Sequence, residues 1–411
     1  MHILIISQYF WPENFRINDL ALSLKKKGHN VSVLTGKPNY PEGKFYKGYG
    51  YFKKTREDYK GVKVIRVPVI PRGKGGDLRL IINYFSYVLS AGVLGNFFCK
   101  DKYDVIFVYE PSPITVGIPA ILMKKFKNTP IMFWVQDLWP ETLPAVGVIR
   151  SKILLKIVGL LVGFIYSNCD RILIQSKSFR SSIKKYTSKS ENILYFPNSA
   201  EDLYKPLDCK SDCFENKLLP RGFKLMFAGN IGTAQGFETI LSAADILKDH
   251  KDIHWVILGD GRMKTFIEQE VKKRGMEDTF HILGRYPIET MPQFFSCADA
   301  LLVSLKNDPI FSLTIPAKLQ SYLACGRPII AALDGAGADV INESKAGIVC
   351  PPDNPEKLSK AVLTMYNMSR DKQIQMGKNG EKYFDSFFEG TMLVDKLEMW
   401  MKELAKHQIN E

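Results

Sequence analysis

The chain has 411 residues, 45% of them hydrophobic, and a formal net charge of +13. That length outgrows a single core and implies two domains. The positive charge suits nucleic acid, anionic lipid or polyphosphate, but no helix-turn-helix, zinc-finger or RNA-recognition signature accompanies it, which sets nucleic acid aside.

Met1 and His2 lead directly into an apolar strand at 3–6. Neither a basic stretch nor a small-residue cleavage site marks a signal peptide. Residues 17–27 follow as an amphipathic helix stopped by Gly28. Short β-branched or aromatic runs at 31–34, 64–67, 105–109, 131–135, 172–174 and 193–196 then alternate with helical patterns. Two segments between them bear on membranes. Residues 80–98 carry no charge and reach spanning length, yet Asn83, Ser86, Ser90, Gly92, Gly95 and Asn96 interrupt them. Residues 153–166 are shorter and flanked by lysines. Both read as buried or interfacial helices rather than spans. Basic residues gather between Lys53 and Arg79, Lys74 among them, and again from Arg150 to Lys189. Such clusters face either an anionic partner or plain solvent.

After a polar stretch at 205–221 the alternation restarts, with strands at 224–228, 255–258, 280–283, 301–303, 329–332 and 347–349, and a last helix at 392–406. The expected class is α/β: two Rossmann-like, doubly wound parallel-sheet domains facing a cleft. Their expected bounds are 1–204 and 205–388, with a helix in 389–411 packing back on the first domain. Seven cysteines, odd in number and scattered, read as reduced thiols of a cytosolic chain. Cys209 and Cys213 lie close, but no second pair follows at zinc spacing, so they read as ordinary thiols in a linker.

Two stretches point to chemistry. The first half has no glycine between Ile6 and Gly28, so a dinucleotide fingerprint is absent there. The second half has Gly229-Asn230-Ile231-Gly232 and then Gly236 after its first strand, which either admits a phosphate to the backbone or merely forms a turn. The run 315–328 is more informative. Pro316 suits the first turn of a helix, Leu319, Tyr322 and Leu323 give it a buried face, and Gly326 and Pro328 end it. Its N-terminal amides, with Lys318 beside them, suit an anion such as a diphosphate.

The order of motifs resembles the retaining GT-B glycosyltransferases of family 4, which build bacterial surface polysaccharides. The resemblance covers nearly the whole chain. It is carried by Tyr9-Phe10-Trp11-Pro12-Glu13, the 28–35 segment, Phe196-Pro197-Asn198-Ser199, Ala228-Gly229-Asn230, Gly259-Asp260-Gly261, Gly284-Arg285 and the helix after Pro316. Gln136-Asp137-Leu138-Trp139-Pro140-Glu141 and Lys318-Leu319-Gln320-Ser321-Tyr322 are similar to one branch, the N-acetyl-L-fucosamine transferases of O-antigen or capsule synthesis.

The resemblance implies a UDP-sugar donor, a polyprenyl-diphosphate-linked saccharide acceptor, and no metal or other cofactor. No Asp-x-Asp occurs in the chain. Uracil would lie near Arg285 and Tyr286, and phosphates would meet amides at Ser312, Leu313 and Thr314 together with Lys318. Asn14, Gly229, Asn230, Gly232, Gln235, Gly261 and Ser321 complete the implied donor site. Arg16 would reach the phosphates from the first domain. Asp137 would orient or deprotonate the acceptor hydroxyl, with Glu110, Gln136 and Glu141 on the acceptor side. The family's usual Glu pair is replaced by Leu313 and Ser321, its Arg and Lys by Asn230 and Gln235, and its His by Gln136. Cationic duty therefore falls on Lys318 and Arg16, and Gln136 fits a donor lacking a 6-hydroxyl. A cytoplasmic chain resting peripherally on the anionic inner face of the membrane is the implied location. The alternatives are a UDP-amino-sugar epimerase on the same scaffold and a non-catalytic nucleotide-binding partner.

Overall fold

Continuous apolar runs become parallel strands here because helices cover both faces of each sheet. The structure, a computed structural model, describes residues 1–73, 76–145, 149 and 151–409, so Lys74 and Arg150 of the basic clusters lie outside the described residues. The chain divides into two units, one of residues 1–196 with the chain from 391 onward, the other of residues 197–390.

In the first unit, strands β1 (His2–Ile6), β2 (Asn30–Gly36), β3 (Arg56–Tyr59), β4 (Val62–Val67), β5 (Val105–Glu110), β6 (Ile131–Val135), β7 (Arg171–Ile174) and β8 (Ile193–Tyr195) form one sheet. Its order is β3-β4-β2-β1-β5-β6-β7-β8. Only the β3–β4 pairing is antiparallel. Strand β3 was not expected, because Arg-Glu-Asp-Tyr has no apolar run; it is a short charged edge, which is how exposed edges avoid further pairing. One face of this sheet buries Ile3, Ile5, Val31 and Val33 against helix Ile17–Lys26 and against Leu393, Leu397, Trp400 and Met401 of the C-terminal helix Gly390–Ile409. Lys27 pairs with Asp395, and His29 lies 3.1 Å from Glu398, clasping that helix to the unit. The return of the last helix to the first sheet is as expected. Helices Asp77–Phe98, Gly117–Lys127 and Lys152–Ser167 cover the other face. A Cβ at Gly92 would meet Leu122, one at Gly95 would meet Leu34 of β2, and one at Gly117 would meet Ile165 and Phe133.

The second unit holds β9 (Phe223–Ala228), β10 (Ile253–Leu258), β11 (Phe280–Gly284), β12 (Ala300–Ser304), β13 (Ile329–Ala332) and β14 (Gly347–Cys350), all parallel, in the order β11-β10-β9-β12-β13-β14. Alternate side chains serve two cores. Leu225, Phe227 and Trp255 pack on one face, and Met226, Val256 and Leu301 on the other with Leu319 and Tyr322. The expectation of fully reduced cysteines is corrected here. Cys209 is bonded to Cys297, which tethers the polar stretch to the end of helix Met291–Ser296. Cys213 stays a thiol, 4.0 Å from the Cys297 sulfur. Two residues 88 apart in the chain meet only through tertiary folding, so spacing could not reveal the pair.

Candidate active site

In each unit the implied residues gather at the carboxyl ends of the strands around the point where strand order reverses, the usual ligand crevice of open α/β sheets. In the first unit that point lies between β1 and β5. Glu110 ends β5 and is fully buried. Its carbonyl accepts from the Gln136 amide at 3.1 Å, and its Oε2 accepts from the Asp137 amide at 3.4 Å. Glu110 and Asp137 therefore sit together at the ends of neighbouring strands β5 and β6.

Their environments separate their protonation. Burial, and then the neighbouring Asp137 charge, push the Glu110 carboxyl far above the usual range. Burial raises Asp137 to about 6, with a hydrogen bond from the Ser112 hydroxyl opposing the rise. Near neutral pH the pair is a neutral acid beside a carboxylate, since two like charges so close resist joint ionisation. Asp137 is thereby poised as a base. Ser112 holds φ at +101°, a rare backbone state for a residue with a side chain, and accepts at 3.0 Å from the Trp139 indole. Sequence reasoning did not single out Ser112. A polar residue before a proline carries no signal that it is strained.

Asn14 and Arg16 lie in the loop after β1, and two buried charges hold that loop. Glu13 accepts from the amides of Asn39 and Tyr40, each at 2.8 Å, and from that of Phe10 at 3.4 Å. Burial raises its carboxyl to about 7 despite these donors. Fully buried Arg66 donates to the carbonyls of Trp11 and Gly36 and to Glu57. Asn14 is exposed and Arg16 half-buried, and the Arg16 charge acts on Tyr109, the neighbour of Glu110. The structure thus brings Arg16 to the end of β5. The Gln136 carbonyl accepts from the Gln175 side chain at 3.4 Å. Glu141 instead turns to Lys185, 4.0 Å away, and to Tyr186.

In the second unit the order reverses between β9 and β12. Gly229 follows β9, and a Cβ placed on it would stand 3.3 Å from the Lys318 Nζ. That nitrogen is buried with no hydrogen-bond partner among the described residues, and burial lowers its pKa to about 7. A shielded amine with no counter-ion is a ready receptor for an anion. Tyr322, read from sequence as core, fixes this corner: the Ala228 amide donates to its hydroxyl at 2.9 Å. Close backbone packing stacks the loops. At Gly259, φ is +146° and a Cβ would lie 1.9 Å from the Gly229 carbonyl; at Gly335 it would lie 2.0 Å from that of Ser312. Gly261 approaches the Ile231 carbonyl in the same way.

Other donor-side residues take different parts. The Gly232 amide donates to Gln235 Oε1 at 3.1 Å, and Asn230 crowds the same glycine, so this trio closes a turn. The expected phosphate donors have internal partners in this structure. Residues Pro309–Leu313 form a helix, and the amides of Ser312 and Thr314 already donate to Asp308 and Phe311. Leu313 lies in that helix, and Asp308 caps it. Helix Ala317–Ala324 begins one residue after Pro316, with Ser321 buried in it. Arg285 is exposed, and Tyr286 packs edge-on against Phe294 at 4.8 Å.

Known families match both units. Residues 14–199 match the Glycosyl transferase 4-like domain, and residues 212–383 match Glycosyl transferases group 1. Each unit is thus similar to a glycosyltransferase family model, a different one for each. Among relatives, the probable glycosyltransferase WbjE of Pseudomonas aeruginosa is 29% identical over 56% of this chain and 58% of its own length. The putative colanic acid biosynthesis glycosyl transferase WcaI of Escherichia coli K12 is 26% identical over 79% of this chain and 82% of its own. A crystal structure of Anabaena Alr3699/HepE in complex with UDP superposes with a TM-score of 0.69 over 98% of this chain and 100% of that one, at 13% identity. The chain accordingly has the GT-B fold.

Proposed function

We propose that this chain is a glycosyltransferase that moves a sugar, with retention of anomeric configuration, from a UDP-sugar to a lipid-diphosphate-linked saccharide during O-antigen or capsule assembly. The proposed donor is UDP-N-acetyl-L-fucosamine or a related 6-deoxy amino sugar, and the proposed workplace is the inner face of the cytoplasmic membrane. One observation carries the reading: among the described residues the buried Lys318 amine has no hydrogen-bond partner, beside Gly229 at the crevice of the second unit. A departing nucleoside diphosphate gains negative charge, so an ammonium there stabilises the transition state more than the ground state. Lys318 would supply locally the positive charge that a divalent cation supplies elsewhere. Asp137 would accept the proton of the acceptor hydroxyl while Glu110 stays neutral. The UDP bound by HepE and the likeness to WcaI, named for colanic acid biosynthesis, support the donor class and the setting.

Calorimetry with UDP, GDP and ADP, with and without Mg²⁺, tests the donor site. UDP should bind alone and equally in both conditions; no response to any nucleotide would overturn the reading. Release of UDP from 6-deoxy and 6-hydroxy donors then tests the sugar, and preference for a 6-hydroxy donor would discard the fucosamine assignment.

A further inference from the structure

The outer layer of the first unit is unlike an ordinary soluble surface. Along helix Asp77–Phe98, Leu78, Phe85, Leu89, Val93 and Phe97 recur at helical spacing and stand 58–72% exposed. Along helix Lys152–Ser167, Ile153, Ile157, Leu160 and Phe164 form a second stripe, 50–73% exposed. Helix Gly117–Lys127 lies between the two and adds Phe126, 75% exposed. Single exposed hydrophobics need no explanation, but two parallel stripes on one layer mark an interaction surface.

The charges of this layer say what covers it. From Leu78 to the end of the first helix, and throughout the other two, no acidic residue occurs. Arg79, Lys125, Lys152 and Lys156 are exposed there. A second copy would bring like charge against like charge. An anionic bilayer would meet both features, taking the apolar stripes into its interfacial region and the cations among its headgroups.

Helix Asp77–Phe98 is long and apolar enough to cross a membrane, but its other face is built into the fold. Asn83 is fully buried, accepting from Gln8 at 2.8 Å and donating to the Ile70 carbonyl at 2.6 Å. Tyr87, also fully buried, donates to the Leu34 carbonyl at 3.3 Å. Spanning would break these bonds. We infer that the helices Asp77–Phe98 and Lys152–Ser167 form a docking face on which the chain lies flat against an anionic lipid surface. Both helices follow strands whose carboxyl ends lie on the side of the sheet that bears Asp137, so the lipid would hold a lipid-linked acceptor on that side; this purpose, though not the docking itself, rests on the acceptor proposed above.

Flotation of the full chain with vesicles tests the inference. Equal parts of phosphatidylcholine and phosphatidylglycerol should carry the protein up, phosphatidylcholine alone should not, and alkaline carbonate should release it. The double variant Leu89→Glu/Leu160→Glu should lose about tenfold or more of its vesicle partition, because each charge sits in a stripe that must be desolvated. Its melting temperature and its UDP binding should match the wild type. Wild-type protein left in the soluble fraction with both vesicles would overturn the inference, as would full binding by the variant. Resistance to carbonate would replace docking by spanning, and a lipid-free dimer abolished by the variant would give the face to a second copy. No acceptor or donor is present in these vesicles, so failure here is distinct from failure of the proposed transfer reaction.

Discussion

The Lys318 Nζ lies 3.5 Å from the centroid of the Phe227 ring, and among the described residues that aromatic face, not a hydrogen-bond acceptor, meets the amine. An aromatic face favours an ammonium, but by less than the hydration it displaces, so the amine titrates at about 7. A bound diphosphate would restore the charge. UDP binding should therefore take up a proton above pH ~7, and affinity should fall by up to about tenfold per pH unit there. Calorimetry in two buffers of different ionisation enthalpy at mildly alkaline pH checks this; Lys318→Met should abolish the uptake. Lys318→Ala should cost more than about tenfold in turnover, about 1.4 kcal/mol of transition-state stabilisation. Near-wild-type turnover would remove Lys318 from the mechanism.

The same shift fixes a stability trend. The folded chain holds this proton less readily than the unfolded chain, so stability falls as pH drops from the ordinary lysine range through about 7. Lys318→Met should melt higher than wild type at pH ~6 and converge with it in alkali. Coincident melting curves at both pH values would contradict a shielded amine.

Asp137 should set the acid limb of the pH profile. As its carboxyl ionises through about 6, kcat/KM should rise, and it should fall again as the Lys318 amine loses its proton above about 7. Asp137→Asn should lose about 10²-fold or more and flatten that limb. The stability sign is opposite to a salt-bridged acid: the folded state binds this proton more tightly, so stability declines as pH rises from the usual Asp range through about 6. Asp137→Asn should thus be at least as stable as wild type at neutral pH. A variant that loses both activity and melting temperature would indicate a structural role.

These two residues show how far the sequence was legible. Strands such as β5 and β13 announce themselves because buried parallel strands are continuous apolar runs, and helix Ala317–Ala324 because proline and glycine bracket it. Asp137 and Lys318 stand out because one falls at the carboxyl end of such a strand and the other in the first turn of such a helix. Glu13, Arg66 and Ser112 do not, since charge and hydroxyl groups read as surface in a linear pattern, and only tertiary closure puts Glu13 under the amides of Asn39 and Tyr40. The helix at the expected phosphate loop was illegible for a related reason. Pro309 after Asp308 starts a helix of five residues, in which the amides of Ser312 and Thr314 donate to the carbonyls of Asp308 and Phe311.

Glu13 is the clamp of the loop bearing Asn14 and Arg16. Glu13→Ala would leave the buried amides of Asn39 and Tyr40 without acceptors, at about 1–3 kcal/mol each before any relaxation. The variant should melt lower and lose activity. Glu13→Gln keeps one acceptor oxygen and should recover most of the stability near neutral pH, where the native carboxyl is already close to half protonated with its pKa at about 7. Equal losses in both variants would show that the negative charge, rather than the acceptor, secures the loop.

The Cys209–Cys297 bond closes a loop whose ends are 88 residues apart, entirely within the second unit. A cross-link of that span restricts the unfolded chain and ordinarily contributes about 2–4 kcal/mol. Reduction should therefore lower the melting of the second unit and leave the first unchanged, giving two resolved transitions where the intact chain shows closer ones. Thiol titration in denaturant should find five thiols before reduction, from Cys99, Cys169, Cys213, Cys325 and Cys350, and all seven after it. Mass mapping of the unreduced chain should join the Cys209 and Cys297 peptides. A Cys213–Cys297 link instead would mean that the Cys213 thiolate, with its sulfur 4.0 Å from Cys297, has displaced Cys209 by exchange. Seven thiols at the outset would mean that the pair is reduced in the isolated chain, and the second unit should then melt at the same temperature with or without added reductant.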